Sequence, residues 1–138
     1  MNCLVKDVGE VVKIEQIRFV YKSAYDKASI SKHYFVIADT SNHCIRLLDI
    51  GNNIVMTLAG ICGVSGFKDG PISKNLMDSP NSLGVDNFGN LWIYDSGNSY
   101  IRKLELKVSS KDDKTIVDGA LLTTMIKGVC RDVPNNLK

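Results

Sequence analysis

A chain of 138 residues is the length of one ordinary domain, and 44% hydrophobic with 23% charged residues is the composition of a folded globular protein. The net charge is +2, from 17 basic and 15 acidic residues that are interspersed, which excludes the dense basic stripe of a dedicated nucleic-acid binder. No run approaches the roughly 18 apolar residues of a membrane helix, so no membrane partner is expected, and the opening MNCLVKDVGEVVK lacks the basic-then-apolar order of a signal peptide.

From the N-terminus, the first strand signal is IEQIRFVY, where Ile14, Ile17, Phe19 and Tyr21 supply the apolar positions. A polar stretch, 22–33, separates it from YFVIAD at 34–39, a β-branched and aromatic run that favours extended backbone. TSNH is a turn, CIRLLDI a strand, GNN a tight turn, and IVMTLAG a fourth strand ending at Gly60. The segment 61–81 is rich in Gly, Ser, Asp and Pro and reads as a connection. Its GVSGFKDG stretch has glycines but no GK[ST] and no following helix, so it is not a phosphate loop. A short strand at 82–86 leads to a turn in which Gly89 suits positive φ. LWIYD, the turn SGNS and YIRKLEL follow. The stretch 107–120 reads as a polar loop extension, and LLTTMIKG as the last strand.

Shifted against itself, the chain overlays on a second copy of its own pattern. Ile37 falls on Ile93, Asp39 on Asp95, Asn42 on Asn98, Ile45 on Ile101, Arg46 on Arg102 and Leu48 on Leu104, all at an offset of 56. A period near 50 points to a propeller or solenoid. TLAGIC (57–62) and MIKGVC (125–130) match at an offset of 68, which sets Gly60 on Gly128 and Cys62 on Cys130. Each aspartate is expected to accept backbone N–H groups two or three residues on, and Asn42 and Asn98 to take the left-handed conformation. After each turn, Ile and Leu are expected on one face and Arg on the other, with one face buried.

ADTSNHCIRLLD and YDSGNSYIRKLE resemble the core of NHL repeats, a strand followed by D-[ST]-x-N-x-x-I-R and a second strand. The elements T-[LI]-A-G, G-F-x-D-G and S-P-x-x-[LI]-x-V-D-x-x-G-N-L-[WY]-[IV] also occur in order, and the resemblance is strong over 34–106. It implies a β-propeller, usually of six blades. The expected fold is therefore all-β: a partial β-propeller of about two four-stranded antiparallel blades in one domain, 1–138. Blade one covers about 14–60, the inter-blade loop 61–81 and blade two about 82–128. The chain departs from the family by holding two clear blades, by a widened loop at 22–33 and by the insertion at 107–120. A closed propeller needs at least about four blades, so the remaining blades of a longer chain, or self-association, are needed to close it.

The repetition of Asp39, Asn42 and Arg46 as Asp95, Asn98 and Arg102 assigns these six to turn and hairpin structure rather than to metal binding. The arginines are expected to reach backbone carbonyls or a carboxylate of a neighbouring blade. His33 and His43, the two histidines, sit in loops at opposite ends of one strand and do not form a shared site. No CxxC pair occurs among Cys3, Cys44, Cys62 and Cys130, which argues against a zinc or thioredoxin-type site. A disulfide between Cys44 and Cys62 and buried free thiols both stay open. Trp92 is read as core, with a stacking platform as the alternative. No catalytic residue, cofactor or metal is expected. The function expected is a non-enzymatic protein-binding or scaffold module that recognises a protein partner through blade loops, with Tyr100, Lys103, Phe67 and Lys68 as candidate surface residues. Two alternatives stand beside it. Some NHL propellers bind RNA, which here requires Tyr100, Arg102 and Lys103 on one face. Some related propellers are metal-dependent lyases or hydrolases, which requires several converging His, Asp or Glu residues.

Overall fold

A computed structural model describes residues 11–14, 34–50, 53–111 and 114–127. Among the described residues, nine strands form two antiparallel sheets. β1 (Val11–Ile14), β2 (Tyr34–Asp39), β3 (Cys44–Asp49) and β4 (Ile54–Gly60) make the first sheet in sequential order. The second runs β5-β9-β8-β7-β6, built from β5 (Gly70–Pro71), β6 (Pro80–Val85), β7 (Leu91–Asp95), β8 (Tyr100–Lys111) and β9 (Lys114–Ile126). The strand read over 14–21 lies outside the described residues except for Ile14, which ends β1. The widened loop at 22–33 lies outside them entirely.

The repeat is visible as equivalent hairpins. β2 pairs β3 with Asp39 opposite Cys44, and β7 pairs β8 with Asp95 opposite Tyr100. Each connection is one tight turn, Thr40–Asn42 in 3-10 conformation in the first unit and 96–99 in the second. The left-handed residue is the one after the expected asparagine: His43 at φ 61° and Ser99 at φ 59°. The asparagines spend their side chains on the preceding aspartates, and the next residue absorbs the reversal of the chain.

Both units carry a bulge at the same place. The register between β3 and β4 shifts after Ile45, leaving Leu58 between Ala59 and Thr57, and that between β8 and β9 shifts after Ile101, leaving Met125 between Ile126 and Thr124. In the outer strands Ala59 therefore corresponds to Ile126, an offset of 67 and not 68. Cys62 has no cysteine equivalent at that offset. Matching letters favoured the shared glycine and cysteine, whereas the ladder is set by the bulge.

The stretch 107–120 is not a loop. β8 and β9 run as one long ribbon from Ile101↔Ile126 to Lys111↔Lys114, with a second bulge after Lys107. Val108, Thr115, Ile116 and Val117 are β-branched and sustain the strands between polar residues. The short β5 pairs with the outer edge of β9 through Gly70 and Pro71, and a proline on an edge strand discourages further pairing.

The sheets pack face to face. Val36, Ala38, Ile45 and Leu47 from the first meet Leu91, Ile93, Leu104 and Leu122 from the second in one core, with Met77 of the connection among them. The expected separation of Arg from Leu is reversed. Arg102 shares its face with Leu104 and Leu106, and all three are buried. In the first hairpin both faces are covered near the turn, since Cys44, Ile45, Arg46 and Leu47 are all buried.

Candidate functional site

The repeated polar residues form the same clamp twice. Asn42 Nδ2 donates to Asp39 Oδ2 at 3.1 Å, and Arg46 Nη1 donates to that oxygen at 3.4 Å. In the second unit Asn98 Nδ2 and Arg102 Nη1 each donate to Asp95 Oδ2 at 2.7 Å. Asp39 stands at the N-cap of the Thr40–Asn42 turn and makes no side-chain cap bond to it. Asp95 accepts its backbone N–H from Asp78 at 2.7 Å, across the connection rather than within the turn. Burial raises the Asp95 carboxyl above its ordinary value, and the Asn98, Asp78 and Arg102 donors oppose that rise.

Arg102 extends the clamp into the 61–81 connection. It donates to the carbonyls of Leu76 at 2.9 Å and Lys68 at 3.0 Å and pairs with Asp69 at 2.9 Å. The expected carbonyl and carboxylate contacts are thus made, to the connection and not to the neighbouring sheet. Asp69 in turn accepts from the Thr124 hydroxyl at 2.7 Å and its N–H at 3.1 Å, which ties β9 in. Burial works against ionising Asp69, but the Thr124 and Arg102 donors outweigh it and hold its carboxyl below the ordinary value.

The connection is pinned from the first unit as well. Asn75 is fully buried; its Oδ1 accepts the Gly60 N–H at 2.6 Å, and its Nδ2 donates to Gly70 and Pro71 carbonyls. His43 Nδ1 accepts the Ser79 N–H at 3.1 Å, and Thr40 Oγ1 donates to the Pro80 carbonyl at 2.8 Å. His43 therefore joins the turn to the connection, and His33 lies outside the described residues. Cys44 and Cys62 form a disulfide with Cα atoms 5.2 Å apart, fixing the start of β3 to the start of the connection. Cys3 and Cys130 lie outside the described residues. The connection is accordingly a brace between the two hairpin turns, with exposed side chains on its outer side.

The candidate surface residues divide into two places. Phe67 and Tyr100 stack edge to face at 4.7 Å, with the Arg102 guanidinium 4.8 Å from the Phe67 ring, and Lys68 is exposed beside them. Lys103 lies on the opposite face of β8, paired with Glu105 at 3.1 Å and 5.9 Å from the Trp92 ring. The RNA reading needs Tyr100, Arg102 and Lys103 on one exposed face. Strand alternation separates Lys103 from the other two, and Arg102 is 0% exposed. Among the described residues, no three His, Cys, Asp or Glu side chains are grouped to hold a metal ion.

One polar centre was missed in the sequence. Asp86 accepts the Phe88 N–H at 2.8 Å, the Asn90 N–H at 3.0 Å, Asn90 Nδ2 at 3.1 Å and Trp92 Nε1 at 2.9 Å. Desolvation works against the anion, but these four bonds outweigh it and lower the carboxyl to about 2. Trp92 is thus half-buried on a sheet face with its indole N–H bound, not in the core. The signal was D-N-F-G-N-L-W, an aspartate followed at four and six residues by side chains able to donate back. The braced turn holds Phe88 out to solvent, 79% exposed.

Fold and geometry define an all-β protein of two packed antiparallel sheets written as a repeat, its repeated polar residues engaged in holding the turns. No protein-family model matches the chain. A curated relative is "Protein SUPPRESSOR OF QUENCHING 1, chloroplastic" of Arabidopsis thaliana, 35% identical over 98 residues, which are 71% of this chain and 8% of that protein.

Proposed function

We propose that the chain is part of an NHL-type β-propeller and serves as a non-enzymatic protein-binding module. The observation that carries this reading is the division of labour among its side chains. The repeated Asp–Asn–Arg sets are engaged with one another, their aspartates and arginines buried, while large apolar side chains stand out on the connection and turns: Val64, Phe67 and above all Phe88. Fixed aromatic side chains on braced turns suit a protein partner, because they bury area at little entropic cost. The two equivalent four-strand meanders, each with the same bulge, support the propeller architecture. The Cys44–Cys62 disulfide supports a working compartment oxidising enough to keep it.

Affinity capture with the immobilised chain tests the reading. A protein retained by the wild type and lost with Phe88→Ser or Phe67→Ser supports it. Capture indifferent to both substitutions, or elution of bound RNA in their place, contradicts it.

A further inference from the structure

We propose that Cys44 and Cys62 form a thiol–disulfide exchange site, opened by a dithiol reductant, whose state sets the order of the 61–65 segment. The bond joins the start of β3 to the start of the connection. The hairpin beside it does not depend on that bond. In the second unit Tyr100 stands opposite Asp95 as Cys44 stands opposite Asp39, and the hairpin there keeps the same bulge with a tyrosine in place of the cysteine. The disulfide is therefore an addition to the repeat, placed where it ties down the connection. An exchange site needs one sulfur within reach of a reductant. Cys62 is half-buried whereas Cys44 is 0% exposed, so the reductant meets Cys62.

Both sulfurs already have polar neighbours suited to the reduced form. Cys44 Sγ stands 3.9 Å from Asp39 Oδ2, and Cys62 Sγ stands 3.6 Å from Thr57 Oγ1. A disulfide sulfur has no hydrogen to give, whereas a thiol donates. Reduction thus turns the Cys44 contact into an S–H bond to the carboxylate. The clamp of the first unit is drawn less tightly around that oxygen. Asp39 Oδ2 receives Asn42 and Arg46 at 3.1 and 3.4 Å, where Asp95 Oδ2 receives both of its donors at 2.7 Å. Burial and a neighbouring carboxylate both disfavour a thiolate, so reduced Cys44 is held as the thiol. The sulfurs also stay neighbours after reduction. Cys44 pairs in the β3–β4 ladder with Gly60, which precedes Cys62 closely in the chain, so the same bond re-forms within the molecule.

One thiolate of the reductant attacks Cys62 Sγ, the Cys44–Cys62 bond breaks, and the Cys44 sulfur leaves and takes a proton from solvent. The reductant's second thiolate then displaces Cys62, which takes another proton, and the reductant closes its own disulfide. The chain gains the electron pair that the dithiol loses. Release is local. The Gly66 N–H on the Met77 carbonyl at 3.0 Å, the Leu76 N–H on the Lys68 carbonyl at 2.9 Å and the Asn75 bonds hold 66–76 without the disulfide. The 61–65 stretch keeps the Gly63 N–H on the Asn42 carbonyl at 2.7 Å and the bridge from Ser65 to Met77. Ile61 and Val64, 41% and 46% exposed, are carried on this stretch and held in one arrangement only while the bond is closed. The inference concerns the chain's own sulfur chemistry and is independent of any protein the surface binds.

Dithiothreitol treatment without denaturant, followed by thiol alkylation and amide exchange, tests it. A chain carrying Cys3→Ser and Cys130→Ser restricts the thiols to this pair. It is expected to take up no alkylating label when oxidised and to be labelled at both Cys44 and Cys62 after dithiothreitol, with Trp92 emission unchanged. Amide exchange over 61–65 is expected to quicken about tenfold or more on reduction, while 66–76 stays within about twofold. Oxidised glutathione is expected to restore both the bond and the protection. Cys44→Ser, which keeps a donor for Asp39, is expected to show the reduced pattern with no reductant present; should it fail to fold, Cys62→Ser at the half-buried sulfur takes its place. A bond that yields to dithiothreitol only in urea overturns the proposal, because it is then a structural staple. Reduction that leaves 61–65 as protected as before, or that quickens exchange throughout both sheets, overturns it too.

Discussion

Arg102 and Asp95 meet at 2.7 Å with both side chains fully shielded from water. A pair in that setting contributes little net stability relative to a well-packed apolar pair, but losing one partner strands a buried charge. Arg102→Ala is expected to destabilise the chain by about 3–5 kcal/mol in chemical denaturation. The double variant Asp95→Leu with Arg102→Met is expected to recover part of that loss. A single variant within about 1 kcal/mol of the wild type would show that the clamp does not hold the hairpin.

The disulfide closes a loop with a sequence separation of 18. Loops of that size lose enough unfolded-state freedom for the bond to contribute about 3 kcal/mol. Cys62→Ser should therefore lower the urea midpoint, and dithiothreitol should lower that of the wild type but not that of the variant.

Asn75 satisfies the Gly60 N–H and two carbonyls from a fully buried position. Asn75→Ala leaves those groups without their partner at a cost of about 3 kcal/mol or more. The effect should be local as well as global. Amide exchange is expected to accelerate first over 61–76, and uniform acceleration would argue against a pinned connection.

The carboxyl of Asp86 lies lower in the folded chain, at about 2, than its ordinary 3.8. A depressed carboxyl stabilises the fold above its unfolded value, and that contribution is lost as pH falls through the folded value. The acid window is thus about pH 4 down to 2. The chain has one tryptophan, so its emission reports Trp92 alone. A step in that emission is expected in this window, and Asp86→Asn should remove it.

Gly60 sits at φ 82°, and a Cβ there would collide with the His43 carbonyl oxygen. Gly63 has φ 92° but open space around it. Gly63→Ala is expected to cost only the left-handed penalty of about 1–2 kcal/mol, with Gly60→Ala costing clearly more. Thermal denaturation of the two variants checks the order.

The hairpins were legible because the identities shared by the two copies reinforce the strand and turn chemistry of each. Asp39, Asn42 and Arg46 could be assigned to structure because they recur, and recurrence carries no distance information. Their actual partners required the fold: Arg102 reaches Leu76 and Lys68, which no local pattern links to it. The ribbon at 107–120 was hidden because its polar residues resemble a loop when the register that pairs them is unknown. The face of Arg102 was misjudged for a related reason. A buried arginine satisfied by carbonyls looks, in a strand pattern, like an exposed one. Asp86 escaped notice because the position 56 residues earlier is Ile30, so no second copy of it drew attention.

The bulge after Lys107 reconciles two units of unequal length. The offset between the units grows from 56 at Ile45 and Ile101 to 67 at Ala59 and Ile126, an odd increment placed wholly between β8 and β9. An antiparallel ribbon lengthens by pairs, one residue per strand, so an odd increment must be taken up either in the connecting turn or by an unpaired residue on one strand. A single unpaired residue, Asp118, makes the parity even again below the ribbon and leaves Leu104 opposite Leu122. The ribbon beyond this step can therefore differ in length between the two units without disturbing the core pairs beneath it.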